Sequence, residues 1–464
     1  MTRDTTPTDR TDSTRRLTRR RALAVGAAVG LPSLAGCASD SEGGGDDGEG
    51  VSGGGDGEGG SDDGESDGDG GEGGSDGGDG EDGGPSLPRV EDPPAATYVP
   101  THFEAMRRLD PIEAGEYLLE PMITYPHSFW NVTGDRIEEA APTDDHDVHL
   151  MVTVRDAATG RVLPAATGLR VTVGPEGESG TPHTPWPMIS QEMGFHFGDN
   201  LSLAADGTYE ATVRVGAIDA RRTGDFAGRF AEPATASFTF EYDQSFRDEV
   251  VGGIAYVQEE SDWGARGALA NGSLGRGGGR SYGDPDRDGP DHVDAQRQDA
   301  ETDHRGEPRW EERAGGRRYG TYRRAPAEGE LPPAAHLPGR LQGEPVVGDA
   351  LLATTLLPAG SRFVDADERY LAVSPRTPYN RSMLPMTAID YELRRGGTPV
   401  DAGSLADVLD SEIGPHYGTA LGDVDDGDEL GLSVTTVPNV SRHAGYETAL
   451  TETDEVSLTV EAPE

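Results

Sequence analysis

Two short stretches of this 464-residue chain repeat one chemistry-bearing pattern. Glu192-Met193-Gly194-Phe195-His196-Phe197-Gly198-Asp199-Asn200-Leu201 recurs as Glu412-Ile413-Gly414-Pro415-His416-Tyr417-Gly418-Thr419-Ala420-Leu421, with five of ten positions identical. An Asp-Gly pair follows each His at the same offset, at Asp206-Gly207 and Asp426-Gly427. Self-similarity of this kind marks an internal duplication. Imidazole together with a thioether is a soft-to-borderline donor set. It suits copper well, Fe(II) acceptably, and Mg or Ca badly. The plainer reading is that each His braces its turn through the ring nitrogens, and that methionines such as Met151 and Met386 simply fill core. No serine-nucleophile elbow, zinc-protease helix, phosphate loop or dinucleotide fingerprint competes, so an enzyme is not expected.

The elements that must carry these residues are strands. Val148–Val154, Leu169–Val173, Tyr209–Val215 and Ala236–Tyr242 read as short β-strands separated by turn residues. Leu351–Leu357, Ala388–Leu393, Leu430–Val437 and Val456–Val460 form a second such series. Helical periodicity is confined to Phe103–Arg108. The spacing predicts an all-β chain with two tandem β-sandwiches, at residues 95–250 and 336–464. Residues 251–335, rich in Gly, Arg and Asp, read as a linker or poorly ordered insert.

The N-terminus reads as an address. Arg19-Arg20-Arg21 precedes an apolar stretch ending in Leu34-Ala35-Gly36-Cys37, within a signal spanning residues 1–37. This resembles a twin-arginine export signal closed by a lipobox, which makes Cys37 the lipidation site. Cys37 is the sole cysteine, so no internal disulfide can form. Residues 38–88 are almost wholly Gly, Ser, Asp and Glu, the composition of a disordered acidic stalk. The expected location is therefore the extracytoplasmic face of the cell membrane, held by lipid.

Eighty-five acidic against thirty-nine basic residues give a net charge of −46, and every basic residue is Arg. The signal carries +4, from seven Arg and three Asp, and the stalk −17, leaving −33 on the remainder. Such a chain is repelled by nucleic-acid phosphates, so nucleic acid is not a partner. Carboxylates at this density suit hydration in concentrated salt, which also screens their mutual repulsion.

Around the repeat the motifs point to a family. Trp186-Pro187-Met188 followed by His196-Phe197-Gly198-Asp199-Asn200, then Gly228-Arg229-Phe230-Ala231-Glu232-Pro233, resembles the ferrous-iron-transport periplasmic protein family. Gly414-Pro415-His416-Tyr417-Gly418 and Ser441-Arg442-His443 resemble the same family's motifs in the second copy. The resemblance implies immunoglobulin-like sandwiches that pair as a dimer, bind copper and iron, and assist membrane iron permeases. It implies a site made from a Met, three His and a Glu, the first His and the Glu lying on an early strand. Carried over, it marks Met188 and His196 in the first copy, with Met193 as a substitute for Met188. In the second copy it marks His416 and His443, with Leu409 at the Met position. His127 is a further candidate for the early-strand His, ahead of His149 and His183, while His146 falls in an acidic loop. The first copy has Arg221-Arg222-Thr223 where the Arg-His motif belongs. The second copy's early strand, Tyr370-Leu371-Ala372-Val373, lacks His and Glu.

The reading these features favour is a lipid-anchored surface protein that binds iron or copper for uptake or handling with a membrane partner such as an iron permease. The competing reading is an adhesion or assembly module on a degenerate duplicated sandwich. Convergence of His127, Met188 or Met193, and His196, and likewise an approach of His416 to His443, discriminates the two.

Overall fold

Strict alternation shapes the strands. In Gly207–Val215, Tyr209, Ala211, Val213 and Val215 are buried while Glu210 and Arg214 face water. The computed structural model describes residues 85–464, except 135, 165–167, 270–330, 366 and 464. The signal, nearly all of the stalk and Cys37 lie outside the described residues.

The chain is all-β, with a single α-helix, Gln244–Gly252, among the described residues. Asp243 caps that helix by accepting from the Phe246 N–H at 2.8 Å. No helix among the described residues is long and apolar enough to cross a membrane. Phe103–Arg108 is not helical: strands His102–Phe103 and Arg107–Arg108 flank an irregular segment, Glu104–Met106. Both short strands are claimed by long-range partners, Ala255–Tyr256 and Tyr117–Thr124, and pairing overrides a six-residue propensity.

The first sandwich sets one sheet, which includes Tyr117–Thr124, Val148–Asp156, Gly194–Leu201 and Trp186–Ser190, against a four-stranded sheet. The latter runs Ala234–Tyr242, Gly207–Val215, Leu169–Pro175, Thr181–His183. Leu150, Val152, Val171, Phe197 and Val213 meet between them in one core. The second sandwich repeats the plan, with Ala406–Asp410, Gly414–Leu421, Arg369–Arg376 and Ala350–Leu357 facing a sheet built on Ala388–Arg395 and Glu429–Thr436. Of residues 251–335, Ala255–Tyr256 joins His102–Phe103, and Val257 and Leu269 cluster with Val99 and Phe103.

The halves exchange strands. Ser441–Arg442, from the second half, enters the first half's sheet between Trp186–Ser190 and Phe129–Thr133. Arg221–Thr223, from the first half, extends the second half's sheet alongside Ala406–Asp410. Met188 pairs with Ser441 as Val408 pairs with Arg221, so the two exchanges occupy equivalent positions in the repeat. All described residues belong to one compact unit.

Candidate metal centre

Val148–Asp156 alternates Val148, Leu150, Val152 and Val154 into the core with His149, Met151 and Thr153 on the opposite face. That second face is also buried, although it carries polar and sulfur-bearing side chains. In Gly194–Leu201 the core takes Phe195, Phe197 and Leu201, which turns His196, Gly198 and Asn200 to the same outer face. Met188 lies directly across from His196. The exchanged strand then delivers His443, whose Nε2 is 3.2 Å from Met188 Sδ.

The structure thus brings together His127, Met188, His196 and His443, and adds two residues. His149 had been ranked behind His127, and Glu104 was not foreseen. Ligand atoms of His127, His149 and His443 all lie within 4.8 Å of one another. Ring centroids are 4.2 Å apart for His127 and His149, and 5.1 Å for His196 and His443. Glu104 Oε1 accepts from His443 Nδ1 at 3.2 Å and stands 3.5 Å from His127 Nε2.

The hydrogen bonds fix each ring the same way. Nδ1 donates to Tyr125 O in His127, to Asn200 Oδ1 in His149, to Gly194 O in His196 and to Glu104 in His443. A carbonyl can only accept, so in His127, His149 and His196 the proton sits on Nδ1 and Nε2 is left with its lone pair. Nε2 of His127, His149 and His196, and Oε2 of Glu104, are buried without a hydrogen-bond partner. Leaving such an atom unsatisfied costs about 1–3 kcal/mol, and three imidazoles are left so in one place. Burial lowers His127 to about 4 and His196 to about 3, and holds His149 well below its ordinary value. These rings are neutral near pH 7, the ligating form. Burial alone would raise the Glu104 carboxyl, but His127 and His443 beside it hold it well below the usual carboxylate range.

The backbone leaves room at the centre. A Cβ on Gly198 would fall 2.7 Å from His149 Nε2 and 2.8 Å from Met188 Sδ, so only glycine permits both donors. Fully buried Arg442 fixes the strand end that carries His443, donating to the carbonyls of Ala449 and Leu450. The His127 and Glu104 side chains, 10% and 14% exposed, form the rim nearest solvent. A Met, four His and a Glu form a soft-to-borderline donor set, and the unpartnered atoms and the cradle at Gly198 fit a transition-metal ion.

The equivalent place in the second half is closed. His416 Nδ1 donates to Gly414 O at 2.9 Å, as His196 does to Gly194, but its Nε2 accepts from the Tyr370 hydroxyl at 3.1 Å. Tyr370 stands where the first half has His149, and a Cβ on Gly418 would collide with its hydroxyl. Phe363 stacks on Tyr370 at 4.3 Å. The residue across from His416 is Val408 rather than Leu409, because Met188 and Val408 share the same register to their His partners. Thr223 takes the place of His443 and donates to Asp410, which is also paired with Arg362. His416 is therefore apart from His443 and from other candidate ligands, with both ring nitrogens satisfied inside the protein. Met193 sits among other methionines, Met122, Met151 and Met106. His183 lies on the opposing sheet, and His146 Nδ1 accepts from the Thr143 N–H in its loop.

His149 had a detectable sign in the sequence, a His at the polar phase of an otherwise aliphatic strand. Glu104 had none, since its segment is placed by pairings to strands far along the chain.

Comparison with known proteins gives a domain of unknown function (DUF7350) over residues 335–459. No curated protein matches the chain. Among solved structures it is similar to FetP of a uropathogenic Escherichia coli strain, at 22% identity over 30% of this chain and 95% of that one, with a TM-score of 0.24. It is also similar to copper-reconstituted P19 of Campylobacter jejuni, at 17% identity over 30% and 96%, with a TM-score of 0.23.

Proposed function

We propose that this protein holds a transition-metal ion, iron or copper, on the outer face of the cell membrane and passes it to a membrane transport partner. The observation that carries the reading is four imidazoles gathered beside Met188, each with Nδ1 tied to an acceptor, with His443 Nε2 3.2 Å from Met188 Sδ and the Nε2 atoms of the other three without a partner. Glu104 Oε1 orients His443 in the manner of a carboxylate–histidine–metal relay, and Oε2 remains a free anionic donor. Because the ion needs unprotonated Nε2, retention weakens as pH falls. Anchoring through lipid at Cys37, with the acidic stalk as tether, would place the centre near a permease without fixing it there.

The test is iron and copper analysis of the purified full-length chain. His196→Ala and His443→Ala should each lose most of the bound metal, whereas His416→Ala should keep it. Equally low iron and copper in wild type and all three variants would remove the metal reading.

A further inference from the structure

Beside the imidazoles lies a second cluster built entirely of thioethers. Met122, Met151 and Met193 are buried against one another, with Met106 partly buried on them, and no Leu, Ile or Val shares the cluster. Half of the chain's eight methionines are gathered there. Met122 and Met151 are cross-strand partners, Met151 is two residues beyond His149 on the same face, and Met193 lies three residues before His196.

The fold does not require sulfur at these positions, and the second half provides the internal comparison. The partners equivalent to Met122 and Met151 are Thr355 and Ala372, and the residue equivalent to Met193 is Ile413. Methionine is a flexible filler that specifies packing poorly and loses more side-chain entropy on burial than Ile or Leu. Three or four thioethers in contact form a donor set selective for Cu(I), with no affinity for hard cations.

We propose that Met106, Met151 and Met193, packed on Met122, form a second site, which takes a monovalent soft cation, Cu(I), separately from the imidazole centre. Arg108, exposed at the edge of the cluster, places Nη1 3.1 Å from Met122 Sδ and covers that sulfur. Met106, Met151 and Met193 are then the three donors open to the ion. The site does not depend on the imidazole centre, and either can exist without the other.

The experiment is anaerobic Cu(I) titration of the full-length protein against a chromophoric Cu(I) chelator. It is paired with methionine ε-methyl NMR during addition of Ag(I) as a diamagnetic surrogate. Met106→Leu/Met151→Leu/Met193→Leu keeps side-chain volume nearly constant and should lose one equivalent of Cu(I). His196→Ala/His443→Ala should retain that equivalent, and Ag(I) should shift the ε-methyl signals of Met106, Met151 and Met193 in this variant. Unchanged Cu(I) stoichiometry in the folded triple-Leu variant would overturn the proposal. So would unmoved ε-methyl signals in the His variant, a result that stands even if the triple-Leu protein does not fold.

Discussion

At the scale of single residues, the centre depends on one missing methyl group. Gly198 is extended backbone, chosen for space and not for conformation, and Gly198→Ala would push a Cβ against both His149 Nε2 and Met188 Sδ. Metal affinity should fall ~10–100-fold, the range seen when groups around metal ligands are disturbed, while the sheet pairing survives. Isothermal titration of the variant with Cu(II) checks this, and unchanged affinity would place the ion elsewhere. The repeat showed that His196 and His416 occupy equivalent strand positions, but it could not distinguish their roles. The difference lies in what meets Nε2, a hydroxyl from Tyr370 in one half and no hydrogen-bond partner in the other. That partner stands on a neighbouring strand, outside the local motif. Met188, His196 and His443 were legible because each sits in a short recognisable run, and Glu104 was not because only tertiary pairing brings it in.

At the scale of elements, the exchanged strands bind the halves through a few specific bonds. Thr223 donates to Asp410 Oδ2 at 2.7 Å, and Arg362 Nη2 pairs with Asp410 Oδ1 at 2.6 Å. Burial alone would raise the Asp410 carboxyl, but these partners hold it well below the usual carboxylate range. A carboxyl depressed in the folded state adds stability that is complete above its unfolded value of about 4 and is lost as pH falls through the folded value. Asp410→Asn should therefore destabilise by about 2 kcal/mol near pH 7, and the difference from wild type should shrink in acid. Urea unfolding at pH 7 and pH 3 measures both, and an equal difference at the two pH values would contradict the assignment. Periodicity placed the eight strands it predicted to within two residues of their ends. Arg221–Thr223 and Ser441–Arg442 escaped it, because strands of two or three residues have no alternation to read and exist only through their parallel partners.

At the scale of the whole molecule, the described residues form one unit although the sequence reads as two sandwiches and a connector. Each half completes the other's sheet, so neither can open alone without breaking a ladder in both. Calorimetry of the metal-free protein should show one endotherm with calorimetric and van't Hoff enthalpies in agreement. Two resolved transitions would mean that the halves are independent. The two-sandwich plan was legible from strand spacing and the decamer repeat, while the strand exchange was not, since sequence spacing carries no information about which sheet a short segment joins. The exchange has a consequence for heredity. In a pair of identical chains every substitution is made twice, and the two ligand clusters must change together. Once both copies lie in one polypeptide, a substitution falls on a single copy. One half could then acquire Tyr370, Phe363 and the Arg362–Asp410 pair as a brace while the other kept its imidazoles open. Half of the molecule is thereby free of ligand duty at its own repeat and serves as the scaffold that presents His443.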